Sequence, residues 1–124
     1  MKTKAVLIYL AILSPVIFLI SCSKNNDQLI TTDLKERIEI NSGEQLIVNL
    51  GNFGDEEGAW ILTTPKNAKE SKIQRQVNSS SIQYQYFPLD NFVGKDSVTL
   101  VLNRGSNGAS SGVNDTTKIS IIVR

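Results

Sequence analysis

The chain has 124 residues, with 13 basic against 12 acidic side chains, one cysteine and no histidine. A formal charge of +1 supplies no basic face of the kind nucleic acid requires. Without imidazole, the commonest general base, metal ligand and pH switch is missing, so Ser-His-Asp triads, Cys-His pairs and histidine-ligated zinc are excluded. No motif implies a cofactor.

The chain opens on a basic stretch, Met1-Lys2-Thr3-Lys4, followed by an apolar run from Ala5 to Ile20, then Ser21 and the lone Cys22. Positive charge, a short apolar core and a small residue before a cleavage point make a secretory signal. A retained transmembrane helix needs about 20 apolar residues. This run is shorter, carries Ser14-Pro15 in its middle and has no basic cluster behind it. Leu19-Ile20-Ser21-Cys22 resembles the lipobox of bacterial lipoproteins. The resemblance implies cleavage after Ser21, lipidation of Cys22 and attachment to a membrane outside the cytoplasm. Ser23 stands where some lipoproteins carry an inner-membrane retention aspartate, which favours the outer membrane, in the periplasm or at the cell surface. Several acyl chains on one cysteine would hold the protein firmly, whereas one chain alone gives marginal attachment. Removal of Lys2 and Lys4 leaves a mature net charge of −1. Residues 22–35 are expected to form the lipidated cysteine and a flexible tether, and residues 36–124 a single domain.

From Arg37 onward the dominant hydrophobic period is two, the signature of strands with one buried face. Ile38 and Ile40, then Leu46, Val48 and Leu50, open the series. Further strands are predicted around 58–63 and 72–77. Ile82-Gln83-Tyr84-Gln85-Tyr86 alternates strictly, and Val98/Leu100/Leu102 and Ile119/Ile121/Val123 complete the set. Turn formers separate these runs at Asn41-Ser42-Gly43, Gly51–Asp55, Pro65-Lys66-Asn67, Asn78-Ser79-Ser80 and Asn103–Gly112. The expected fold is all-β, an antiparallel two-sheet sandwich of about seven strands.

Tyr84-Gln85-Tyr86-Phe87-Pro88 and Asn91-Phe92-Val93-Gly94-Lys95-Asp96-Ser97-Val98, with the upstream Pro65-Lys66-Asn67 and the closing Thr117–Val123, resemble bacterial Ig-like and cadherin-like repeat domains. The likeness spans about residues 37–124. It implies an Ig-like sandwich serving adhesion, scaffolding or protein–protein contact in the cell envelope, with a protein or glycan partner. In this pattern Pro88 ends a strand by lacking an amide donor and Gly94 allows a tight turn. Asp96 is expected to accept backbone amides in that corner, and Phe92 to plug the sandwich end.

Candidate sites lie in the loops 51–58 and 104–115, with Asn52, Phe53, Asp55, Glu56, Arg104 and Asn107 as candidate binding residues. They support the alternative of a small ligand-binding or protease-inhibitor-like lipoprotein. Chagasin-type inhibitors carry a Gly-Tyr-x-Trp element beside an exposed loop. Gly58-Ala59-Trp60 lacks the tyrosine and the spacing, so Trp60 is expected in the core between the sheets. Asp55-Glu56-Glu57, Asp90 and Asp96 do not follow a calcium-loop spacing and are read as solvated turns, with no metal site. Gly105–Gly112 is not closed by Lys-Ser/Thr, so it is a hairpin loop rather than a phosphate cradle. Lys66, Lys69, Lys72 and Arg75, interrupted by Glu70, read as a solvated strand and turn. Asp96-Ser97-Val98 and Asp115-Thr116-Thr117 match a short bacterial O-glycan acceptor pattern. A hydrolase built on two carboxylates is conceivable in chemistry, but no apolar cleft is legible around an acidic pair, and the chain is expected not to be an enzyme.

Overall fold

In a computed structural model, residues 29–105, 109 and 112–124 are described; the signal segment, Cys22 and Asn107 lie outside them. Eight strands follow in order: β1 (Leu29–Asp33), β2 (Arg37–Ile40), β3 (Gln45–Asn52), β4 (Gly58–Thr63), β5 (Ala68–Arg75), β6 (Ser81–Pro88), β7 (Gly94–Arg104) and β8 (Val113–Val123). They form two four-stranded sheets, β1-β3-β6-β5 and β2-β8-β7-β4. The all-β sandwich is as expected, but it has eight strands and its sheets are mixed.

Two parallel pairs account for the difference. Leu29–Asp33 runs parallel to Gln45–Asn49, and Arg37–Ile40 runs parallel to Ser120–Val123. The first segment of the domain is thus divided between the sheets, with Leu34–Glu36 as the crossing. The span predicted as tether therefore already holds a strand. Its sequence hides this because β1 is an edge strand on which only alternate residues are half-buried. Ile30 and Leu34 pack against the core. β5 likewise starts at Ala68, earlier than the predicted 72–77.

The core is the alternating set. Ile38, Ile40, Leu46, Val48, Leu50, Ile82, Tyr84, Tyr86, Val98, Leu100, Leu102, Ile119, Ile121 and Val123 are all buried. β2, β3, β6, β7 and β8 each contribute every second residue, so the inner faces of the two sheets meet in one core. Glu44 closes the 41–44 turn, accepting the Asn41 amide at 2.7 Å and its side-chain amide at 2.8 Å.

Asp96 holds the corner where the chain passes from one sheet to the other. It is buried on β7. Its carboxylate accepts the Lys66 amide at 2.9 Å, the Asn67 amide at 2.8 Å, the Ser97 amide at 2.9 Å and the Tyr86 hydroxyl at 3.3 Å. Two of those amides come from the β4–β5 connection, far away in sequence. Phe92 packs half-buried against the core at the same end. Gly94 beside it has φ 148°, and a Cβ there would meet the Phe92 ring at 3.3 Å.

Trp60 corrects an expectation. It is 45% exposed, because Ala59 and Ile61 take the inward positions of β4 and pack on the core. Period two then turns Trp60 to the outer face, opposite Val101. A Trp60→Ala chain is therefore expected to lose at most about 1 kcal/mol in urea denaturation, against roughly 3–5 kcal/mol for a buried aromatic. A loss in the larger range would return Trp60 to the core.

Candidate functional site

The ends of β3, β5 and β7 and the starts of β4, β6 and β8 lie at one end of the sandwich, so the connections 53–57 and 76–80 gather there, with Gly105 following β7 and Gly112 preceding β8. The opposite end carries the Asp96 corner. Loops on a rigid scaffold are where sandwich proteins place contacts.

Two arginines and a glutamate set the shape of this end. Arg75, the last residue of β5, donates to the carbonyls of Phe53 at 3.1 Å, Gly54 at 3.1 Å and Glu57 at 2.9 Å. Arg104, the last residue of β7, donates to the carbonyls of Asn52 at 3.2 Å and Leu50. Its guanidinium also lies 4.2 Å from the centroid of the Phe53 ring, a stacked cation–π contact. Planar forks of this kind hold several carbonyls at once with little further loss of freedom. Glu57 accepts the Gly54 amide at 2.6 Å with one oxygen and the Gly105 amide at 2.6 Å with the other. That second bond joins the first loop to the third. The Phe53 amide donates to the Ser80 carbonyl at 2.9 Å, which joins the first loop to the second.

Backbone geometry supports the same construction. A bulge in β3 lies between Asn49 and Gly51. Gly51 has φ 99°, and a Cβ there would meet an Arg104 guanidinium nitrogen at 3.2 Å. Glycine is needed both for the left-handed backbone and for the approach of the arginine. In the second loop, Asn78 sits at φ 56°, a region asparagine tolerates.

The predicted site residues separate into two groups. Asn52, the last residue of β3, and Asp55 and Glu56 on the first loop are exposed. Phe53 is not a contact residue: it is 3% exposed and belongs to the core. The local sequence, polar and glycine-rich on both sides, gave no hint that its ring turns inward under Arg104. Arg104 is half-buried and holds the loop in place rather than offering a free charge. Asn107 lies outside the described residues. Sequence reasoning missed Arg75, taken as part of a solvated basic stretch, and Glu57, taken as part of an acidic turn. It also missed the 76–80 turn as a member of the site; Val77, at 84% exposure, is its apolar tip.

Elsewhere the carboxylates are dispersed. Asp90 pairs with Lys69 at 3.3 Å, both exposed, and Asp96 is taken up by its amides. Among the described residues no three acidic, histidine or cysteine side chains converge as a metal site would require.

No protein-family model matches this chain, and no curated protein sequence matches it either. Solved structures do resemble it. The cysteine protease inhibitor EhICP2 from Entamoeba histolytica aligns at 16% identity and TM-score 0.48, over 78% of this chain and 96% of that one. PbICP-C, in a complex with falcipain-2, aligns at 15% identity and TM-score 0.45, over 79% and 92%. An endo-fucoidan hydrolase of glycoside hydrolase family 107 aligns at 19% identity and TM-score 0.45, over 73% of this chain and 13% of that one. At these identities and scores the likeness assigns neither a family nor an activity.

Proposed function

We propose that this chain is a non-enzymatic binding module, anchored through lipidated Cys22 in the cell envelope, that grips a protein partner with its three-loop end. The observation that supports this reading is the mutual locking of the loops by Arg75, Arg104 and Glu57. A surface ordered before contact loses less freedom on binding, so more of the contact energy appears as affinity. General scaffolding or spacing needs no such order at a domain's end, which favours a loop-acting binder over a passive spacer.

The tips that such a partner would meet are Asp55, Glu56 and Val77, which are exposed. The solved structures named above suggest no more than which partner to assay first, a cysteine protease. The test combines Asp55→Ser, Glu56→Ser and Val77→Ser with a Gly-Ser replacement of residues 105–112. Partner capture from the native envelope, and inhibition of cysteine proteases, are expected to vanish while the melting temperature stays within a few degrees. Arg75→Ala, which frees the first loop but leaves its tips, is expected to speed dissociation about tenfold. Capture unchanged in both chains would refute the loop end as the binding surface. Mass spectrometry of the native N-terminus checks the anchor independently, and an unmodified Met1 would exclude it.

A further inference from the structure

The outer face of the β2-β8-β7-β4 sheet is organised quite differently from the loop end. Strand registers place its outward residues in rows across the sheet. Trp60, Val101 and Thr116 form one row; Thr63, Thr99 and Lys118 form the next. Ser97, Ser120 and Arg37 form a third, and Lys95, Ile122 and Glu39 a fourth. Outward residues along a strand repeat every two positions, so the four rows extend over roughly 20 Å.

A groove of about 850 Å³ opens beside these rows, lined among others by Thr63, Lys66, Lys95, Thr116, Lys118 and Ser120. Thr116, which lines it, shares a row with Trp60. The indole is 45% exposed, and Leu62 beside it on the same edge strand is 60% exposed.

The charges do not cancel. Glu39 is already paired with Arg37 at 3.0 Å and with Arg124 at 2.5 Å. Asp96 reaches the groove floor, but its oxygens are taken by three backbone amides and the Tyr86 hydroxyl. Glu36 is the remaining acid at the rim. Lys66, Lys95 and Lys118 are exposed and make no ion pair among the described residues. Three ammonium groups without an ion pair among the described residues thus line a groove that also carries the hydroxyls of Thr63, Ser97, Thr116 and Ser120, with Trp60 exposed in the row that ends on Thr116.

We infer that this face binds an acidic polysaccharide strand. Trp60 stacks against the apolar face of a sugar ring. The threonine and serine hydroxyls exchange hydrogen bonds with sugar hydroxyls, being both donors and acceptors. Lys66, Lys95 and Lys118 meet the carboxylate or sulfate groups along the strand in charge-assisted bonds. A protein partner would demand a wider apolar centre than Trp60 and Leu62 provide, with fewer lysines around it. A polysaccharide needs the mixture present.

The chain holds a single tryptophan, so its fluorescence reports on this face alone. The experiment titrates the full chain in detergent with polygalacturonate, dextran sulfate and neutral dextran. The acidic polymers are expected to shift the emission of Trp60 saturably, with affinity falling as salt rises; which of the two binds more tightly distinguishes carboxylate from sulfate recognition. K66Q/K95Q/K118Q is expected to weaken binding at least about tenfold, and the corresponding lysine-to-arginine chain to retain it. The loop-end substitutions are expected to leave this binding intact, so its failure and that of the loop-end reading are distinguishable. The proposal is overturned by an emission that no acidic polymer shifts, by neutral dextran acting equally well, or by unaltered affinity in the lysine-to-glutamine chain. A dimer in sedimentation whose interface already shields Trp60 overturns it too.

Discussion

An Asp96→Ala chain is expected to be less stable by about 3 kcal/mol, which lowers the melting temperature of a domain this size by roughly 10–20 °C. The reason is not the loss of an attractive pair but what remains. Lys66 and Asn67 donate their amides to this carboxylate across the sandwich end, and Tyr86 donates its hydroxyl from the opposite sheet. Alanine would leave the part-buried amides and the buried Tyr86 hydroxyl without this acceptor, and each donor that water does not reach costs roughly 1–3 kcal/mol. Asp96→Asn keeps one side-chain oxygen and is expected to lose about half as much. Urea denaturation of both chains, with Tyr86→Phe alone and combined, measures the coupling between the two residues. If Asp96→Ala falls within 1 kcal/mol of the parent, the corner does not hold the sheets together.

The second large effect is alkaline unfolding. Burial pushes the Tyr84 hydroxyl up to about 12, with Asp96 adding to the rise and the Ser71 hydrogen bond opposing it. Tyr86 is raised further, first by burial and then by the adjacent charge of Asp96. In the unfolded chain both tyrosines ionise near 10, so above that pH the unfolded state binds fewer protons than the folded one. Stability from this source is therefore complete below about pH 10 and is lost as pH rises through 12. For Tyr84 alone the rise from about 10 to about 12 corresponds to roughly 3 kcal/mol. The third tyrosine, Tyr9, falls in the predicted signal. Phenolate absorbance of the mature domain is thus expected to appear together with loss of the folded circular dichroism signal, in one cooperative step. Tyr84→Phe/Tyr86→Phe is expected to remove that step. Phenolate forming in a chain that stays folded would show that the two hydroxyls reach solvent.

The sandwich was legible because its strands are written locally. Ile82-Gln83-Tyr84-Gln85-Tyr86 and Val98/Leu100/Leu102 must alternate whatever they pair with, since one face is dry and the other wet. The same rule, applied with care, would have turned Trp60 outward, for Ala59 and Ile61 already claim the inner positions. Size alone drew it towards the core. β1 was not legible, because an edge strand buries few side chains and Leu29-Ile30-Thr31-Thr32-Asp33 can pass for a linker. The parallel pairings escaped for a related reason: parallel strands are joined by a crossover and not by a tight hairpin, so no turn signal marks the pair.

The loop end divides the same way. The turn residues around 51–58 and 104–112 announced loops there, and Asn52, Asp55 and Glu56 are exposed on one of them. Nothing local told that Arg75 would reach carbonyls some twenty residues away, or that Glu57 would join Gly54 to Gly105. By itself the sequence determined the strand periodicity, the dry inner faces, the turns and the lack of imidazole chemistry, all properties of residues and their near neighbours. Only the tertiary structure decided which loops share an end, which charges are consumed in holding them, and which lysines along the outer sheet make no ion pair among the described residues. Those depend on strand order and register, and contacts between distant segments leave no local pattern.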